Sequence, residues 1–317
     1  MAILIDPPRW EAHGTTFSHL VSDSSLSELH AFAASNGIQE RAFDADHYDV
    51  PVHLYESLVQ AGALPVTGRE LIRRLRGSGL RVTSRERPRS AMRALRHRWP
   101  GRHLAAATSP SDKGPLERGD TSTPATEAIR DDLLRRWSAP GRNYHDGRHL
   151  LAVLNALDSL TDPVDPPLTV ILAAWFHDAV YEGVPGTDEQ SSADLARSQL
   201  RSVLAPDAID EVARLVLITT NHQPVPTDQA GVLLCDADLA ILGSSPTNYR
   251  RYCAEVRRDY DHLDEASWSR GRIQVLQGLL QRERLFHTEA GYRRWEWRAR
   301  ENLQHELADL TAPTAPG

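Results

Sequence analysis

The sequence predicts a multidomain protein: a small α/β N-terminal domain followed by an all-α domain. Three observations carry this. At 317 residues the chain exceeds one domain of ordinary size. Strand-like and helix-like patterns mix over residues 1–84, whereas residues 126–312 are helical in pattern nearly throughout. Between them, residues 85–125 form an Arg-rich segment whose second half, AAATSPSDKGPLERGDTSTPA, has few large apolar groups to bury and reads as a flexible linker.

Taken in order, Ala2-Ile3-Leu4-Ile5 is an apolar run stopped by Asp6-Pro7-Pro8, a short buried strand. Ser24 or Ser25 caps a helix that continues through Ala34 and ends at Asn36-Gly37. Val52–Ala61 and Gly68–Arg76 are two more helices, separated by Gly62 and Pro65. In the second domain, Leu150, Val153, Leu154 and Leu157 share one helical face. Leu168–Tyr181 reads as a buried helix, and Ile209, Val212, Leu215 and Val216 form another stripe. Proline and glycine fall between these segments, and no β-alternating stretch of useful length interrupts them.

Composition narrows the function classes. A hydrophobic fraction of 40% with 25% charged residues excludes collagenous, coiled-coil and wholly disordered chains. No apolar run approaches the roughly 18 residues of a membrane span. The N-terminus lacks a basic region, so no cleaved signal peptide is expected. Cys235 and Cys253 are the two cysteines, too few for a disulfide scaffold or a cysteine zinc cluster. A cytoplasmic protein is expected. The net charge of −7 conceals a basic strip from Arg69 to Arg102, twelve arginines against Glu70 and Glu86. Such a strip is either a nucleic-acid contact or a solvated helix face, and the second reading is preferred.

Histidine and aspartate recur through the helical domain in a distinctive order. Tyr144-His145-Asp146-Gly147-Arg148-His149 opens a helix and sets two histidines four apart; His177-Asp178 follows a buried apolar run; Asn221-His222 closes a helix; Asp236-Ala237-Asp238 starts the next apolar segment. A charged pair directly after a buried helix must be paired, hydrogen-bonded or metal-bound. Imidazole and carboxylate groups from separate helices can surround one divalent cation and leave positions open to water.

With Arg142-Asn143-Tyr144-His145 through His149, Trp175-Phe176-His177-Asp178-Ala179-Val180-Tyr181, Asp236-Ala237-Asp238-Leu239, Ile241-Leu242-Gly243, Gly271-Arg272 and Ala299-Arg300-Glu301-Asn302-Leu303, the region from about Arg130 to Leu310 resembles the HD superfamily of metal-dependent phosphohydrolases. The resemblance implies an HD-type helical fold. It places metal ligands at His149, His177, Asp178 and Asp238, with Asp236 the rival for the last. The spacing of His145 and His149 is similar to that in related cyclic-nucleotide phosphodiesterases, which implies that His145 is the proton donor.

The implied cofactor is a divalent cation (Mn, Fe, Co, Ni, Zn or Mg), which lowers the pKa of water from about 15.7 toward about 7 to 9. The implied partner is a small phosphorylated substrate such as a nucleotide, with no membrane. His222 and Asp236 are candidates for a second metal or a phosphate, and His222 otherwise for a helix-terminal hydrogen bond. Arg142 and Arg272 are candidates for phosphate contacts or for structural ion pairs. Glu182 and Glu189 are candidates to orient water or ligand, although solvation suits Glu189 better. The rival function is a regulatory protein whose helical domain senses a nucleotide without turnover and whose basic strip engages nucleic acid.

Residues 1–84 resemble a small bacterial domain of unknown function through ILIDPPRW, His13-Gly14, Ser18-His19-Leu20-Val21-Ser22-Asp23 and Asp46-His47-Tyr48-Asp49, which implies no activity. Asp6, His13, His19, Asp23, Asp46 and His47 are candidates for a polar site or for ordinary caps and turn bonds. No phosphate-binding glycine loop is present.

Overall fold

Six short strands form one mixed sheet in the N-terminal unit of the protein, seen in a computed structural model that describes residues 2–12, 14–39, 42–44, 46–78, 80–81, 88–107, 123–184 and 186–312. They are β1 (Ile3–Ile5), β2 (Trp10–Ala12), β3 (Thr15–Ser22), β4 (Phe43–Asp44), β5 (His47–Pro51) and β6 (Leu64–Pro65). The order is β4-β5-β3-β1-β6, with β2 hairpinned onto β3. β1 runs antiparallel to β3 and parallel to β6.

The expected strand is β1, fully enclosed at Leu4 and Ile5. α1 (Leu26–Ser35) is capped by Ser25, whose hydroxyl accepts from the Glu28 N–H, and Asn36-Gly37 turns the chain out, with Gly37 at φ +72°. A 3₁₀ turn at Val52–Leu54 leads into α2 (Tyr55–Gln60), and α3 (Gly68–Ser78) follows. One apolar cluster packs β1, β3 and β5 against α1 and α2; a second packs Leu4 and Val21 against Leu71 and Leu75 of α3.

The chain divides into Met1–Arg87 and Pro88–Gly317. The helical unit therefore begins at Pro88, within the Arg-rich segment and ahead of the expected start at residue 126. Residues 88–107 form α4 (Pro88–Arg98) and α5 (Gly101–Ala107), and Leu95 of α4, Trp99 between the helices and Leu104 of α5 are buried in the core of the helical unit. Three apolar anchors, one on each helix and one between them, dock this arginine-rich stretch on the core. The second part of the linker, residues 108–122, lies outside the described residues. Several arginines of the basic strip are paired with acids: Arg73 with Glu70, Arg74 with Asp23, Arg81 with Asp46, Arg96 with Asp131 and Arg98 with Asp158.

The helical unit continues with α6 (Pro124–Trp137), α7 (Gly147–Thr161), α8 (Leu168–Phe176), α9 (Thr187–Leu200), α10 (Pro206–Ile218) and α11 (Gln229–Asp238). After a 3₁₀ turn at Leu239–Gly243 come α12 (Pro246–Asp259), α13 (Glu265–Leu280), α14 (Glu289–Gly291) and α15 (Trp297–Thr311), the last two joined by a π-helical turn at Tyr292–Glu296. α8 is the central rod, buried at Val170 and from Leu172 to Phe176, with α7, α9, α10 and α11 around it. It ends at Phe176 rather than Tyr181. His177 is its C-cap, and the chain then turns through Asp178–Val180. That early stop brings the next side chains out of the core and into the site.

Candidate metal centre

Four of the sequence candidates meet at one point although they come from three stretches of chain. His149 lies in the first turn of α7, which begins where the Asp146 carboxylate accepts from the Arg148 N–H at 2.7 Å. His177 and Asp178 follow the end of α8, and Asp238 ends α11. His149 Nε2 lies 3.1 Å from His177 Nε2, 3.0 Å from Asp238 Oδ1 and 3.7 Å from Asp178 Oδ2. His177 Nε2 lies 3.2 Å from Asp178 Oδ2 and 3.6 Å from Asp238 Oδ1.

This donor set fits a divalent cation. With bonds of about 2.1 Å, ligands at right angles stand about 3.0 Å apart and tetrahedral ones about 3.4 Å. The histidine–histidine and histidine–carboxylate separations, 3.0 to 3.7 Å, span those values; one ligand atom from each of His149, His177 and Asp178 lies within 4.8 Å of the others, and Asp238 stands against the two imidazoles. His177 Nδ1 lies 2.8 Å from the Ala174 carbonyl, so Nδ1–H donates there and Nε2 turns its lone pair to the centre. Burial opposes a charge on His177, but Asp178 and Asp238 outweigh it and hold its pKa well above the usual value. Asp238 is pulled the other way: burial would raise its pKa, and the His177 charge with hydrogen bonds from three histidines takes it well below. The centre thus draws positive charge into a nearly enclosed spot. Trp137 walls it, with its ring 5.5 Å from that of His177 and its Nε1–H donating to the Trp175 carbonyl at 2.9 Å.

His145 stands beside this group but not on the helix of His149 as the spacing predicted. It precedes the cap residue Asp146, in a turn held by Asp259. The Asp259 carboxylate accepts the backbone N–H groups of Asn143, Tyr144 and His145 and lies 2.8 Å from His145 Nδ1. Burial would raise the Asp259 pKa; the His145 hydrogen bond and charge bring it below the usual range. The imidazole stacks on Tyr181 at 4.2 Å between centroids. Asp259 escaped sequence analysis. Its signal was an acid as the last residue of α12, where the helix dipole disfavours one.

His222 also reaches the group, with Nε2 2.7 Å from Asp238 Oδ2. It sits at φ +50° in the turn that follows α10, four residues past Ile218, in left-handed backbone that histidine tolerates better than most residues. A cavity of about 180 Å³ opens over the centre, lined on its polar side by His145, His149, Asp178, His222 and Asp238 and on its apolar side by Leu239, Ile241 and Leu242.

Other candidates lie elsewhere. Asp236 is fully buried and accepts from the His287 N–H and from both the N–H and the hydroxyl of Thr288, so it ties α11 to the start of α14. Arg142 donates to the carbonyls of His145, Asp178 and Ala179, leaving its guanidinium committed to the backbone. Arg272 makes a bidentate pair with Glu306, at 2.7 and 3.0 Å, and is absent from the cavity lining. Neither arginine lines the cavity, and each guanidinium is engaged with partners of its own. Glu182 is exposed and off the cavity, whereas Glu189, which accepts from the Gly186 N–H at the start of α9, does line the cavity over the centre.

In the N-terminal unit, Asp6, His19, Asp46 and His47 gather on one part of the sheet. Asp23 instead accepts from Arg74 and the Ala2 N–H. His13 lies outside the described residues. Comparison with known proteins matches residues 3–78 to a family described as a protein of unknown function, DUF4031. No curated protein and no solved structure matches the chain.

Proposed function

We propose that the helical unit is an HD-type metal-dependent phosphohydrolase acting on a nucleotide or another phosphate ester. The observation that carries this is the convergence of His149, His177, Asp178 and Asp238, with His145 backed by Asp259 at the edge of the same cavity. The HD resemblance of the sequence motifs supports the same reading.

His149, His177, Asp178 and Asp238 would hold the cation. When bound, a divalent ion supplies an acidified water and offsets charge on phosphoryl oxygens. The chain supplies the rest. Asp259 holds the His145 Nδ1–H and leaves Nε2 for the cavity, where its proton can pass to the leaving oxygen of the ester, a role typically worth about 10²–10⁴-fold. Asp259 is a positioning residue in this scheme. His222 orients Asp238 through the 2.7 Å contact. Leu239, Ile241 and Leu242 limit water on the apolar side.

The test is purified protein assayed with Mn²⁺ against a panel of nucleotides and phosphodiesters, beside His177→Ala and Asp178→Ala. Metal-dependent turnover that both substitutions abolish supports the hydrolase. Nucleotide binding without turnover across Mn²⁺, Fe²⁺, Co²⁺, Ni²⁺, Zn²⁺ and Mg²⁺ would replace it with a sensor.

A further inference from the structure

The sheet of the N-terminal unit carries a second group of side chains of metal-ligating type, with a supporting layer of its own. β3 and β5 pair antiparallel with His19 opposite Asp49. His47 is two residues from Asp49 along β5, so the pleat sends both to the face on which His19 stands. One ligand atom from each of His19, His47 and Asp49 lies within 4.8 Å of the others. His47 Nε2 is 3.4 Å from Asp49 Oδ1, and the two imidazole rings meet edge to face at 4.9 Å.

We propose that His19, His47 and Asp49 form a divalent transition-metal site independent of the helical unit. What separates this group from an ordinary polar patch is the carboxylate behind each imidazole. Asp6 Oδ2 lies 3.0 Å from His19 Nδ1, while its other oxygen accepts the His19 backbone N–H at 2.6 Å. Asp46 Oδ1 lies 2.6 Å from His47 Nδ1, and Asp46 is fully buried. A carboxylate on Nδ1–H fixes the tautomer and turns the Nε2 lone pair outward, the arrangement found behind metal-ligating histidines.

Charge selects a cation over an anion. Asp6, Asp46 and Asp49 converge here, against Arg81, which is itself bound to Asp46 at 2.9 Å. Two imidazoles and one carboxylate suit borderline ions such as Zn²⁺, Co²⁺, Ni²⁺ or Fe²⁺, and three protein ligands leave positions open. Entry is available: the Asp49 side chain is 47% exposed, and the exposed Trp10 ring lies 5.2 Å from that of His19.

The experiment uses the full chain with the helical centre disabled by His177→Ala and Asp178→Ala, so its outcome does not depend on the hydrolase reading. Co²⁺ is titrated by visible absorption and Zn²⁺ by calorimetry. One equivalent of each is expected, with Co²⁺ d–d bands. Asp49→Asn should weaken binding by about tenfold or more, and His19→Gln with His47→Gln should abolish it. Absence of Co²⁺ and Zn²⁺ binding in this background overturns the proposal. So does a full equivalent retained after both histidine changes with the circular dichroism intact. If the histidine variants do not fold, Asp49→Asn decides, and unchanged affinity overturns the site.

Discussion

Replacing Arg272 by alanine separates a structural arginine from a phosphate contact. Its guanidinium makes two hydrogen bonds to Glu306, which also accepts from the Tyr249 hydroxyl at 2.5 Å, and the Arg272 and Glu306 side chains are 7% and 12% exposed. Removing one partner of such a buried pair leaves the other charge uncompensated, at a cost of about 3–5 kcal/mol. At about 2–4 °C per kcal/mol for a unit of this size, the melting temperature should fall by about 6–20 °C.

Acid should erase the difference. Burial would raise the Glu306 pKa, but the Arg272 hydrogen bond and charge lower it below its ordinary 4.5. A group with a depressed folded pKa contributes stability that is present above the unfolded value and lost as pH falls through the folded one. The gap between wild type and Arg272→Ala should therefore be full near neutrality and shrink below about pH 4.5. Thermal unfolding followed by circular dichroism from pH 3 to 7 measures it. An unchanged melting temperature at pH 7, together with lost affinity for a nucleotide, would refute the assignment and return Arg272 to the phosphate.

Asp238→Asn should lower metal affinity at the helical centre by more than the roughly 10–100-fold typical of supporting residues, read by calorimetry in a chain whose His19 and His47 are both glutamine. Asp259→Asn should keep the metal content of the wild type while cutting turnover by about 10–100-fold, through kcat rather than KM, because it acts on His145 and not on the ligands; a changed metal content would contradict that role. Gly243→Ala should destabilise the helical unit by about 1–3 kcal/mol in urea, since an added Cβ would stand 2.4 Å from Trp295 Cβ and 2.7 Å from its Cα.

The apolar spacing alone was enough to separate an α/β beginning from a helical remainder. Burial is a property of local pattern, and Leu150, Val153, Leu154 and Leu157 sit at the periodicity that one core face requires. The cap at Ser25 and the stop at Asn36-Gly37 were legible for the same reason, because each depends on a few adjacent residues. The same local reasoning missed the docking of residues 88–107, where the arginines outnumber the three buried anchors and dominate the composition.

The sequence motifs, through their resemblance to the HD superfamily, also pointed to His145, His149, His177, Asp178 and Asp238, whereas the cost of an unmatched charged pair after an apolar run by itself marked only His177-Asp178. Partners distant along the chain were beyond the reach of both. Asp259 lies 114 residues from His145, Glu306 is 34 from Arg272, and Thr288 is 52 from Asp236. A guanidinium or carboxylate is chemically ready for ligand, backbone or ion pair alike. Only the folded packing, by filling or leaving open its hydrogen-bonding directions, decides which of these it serves.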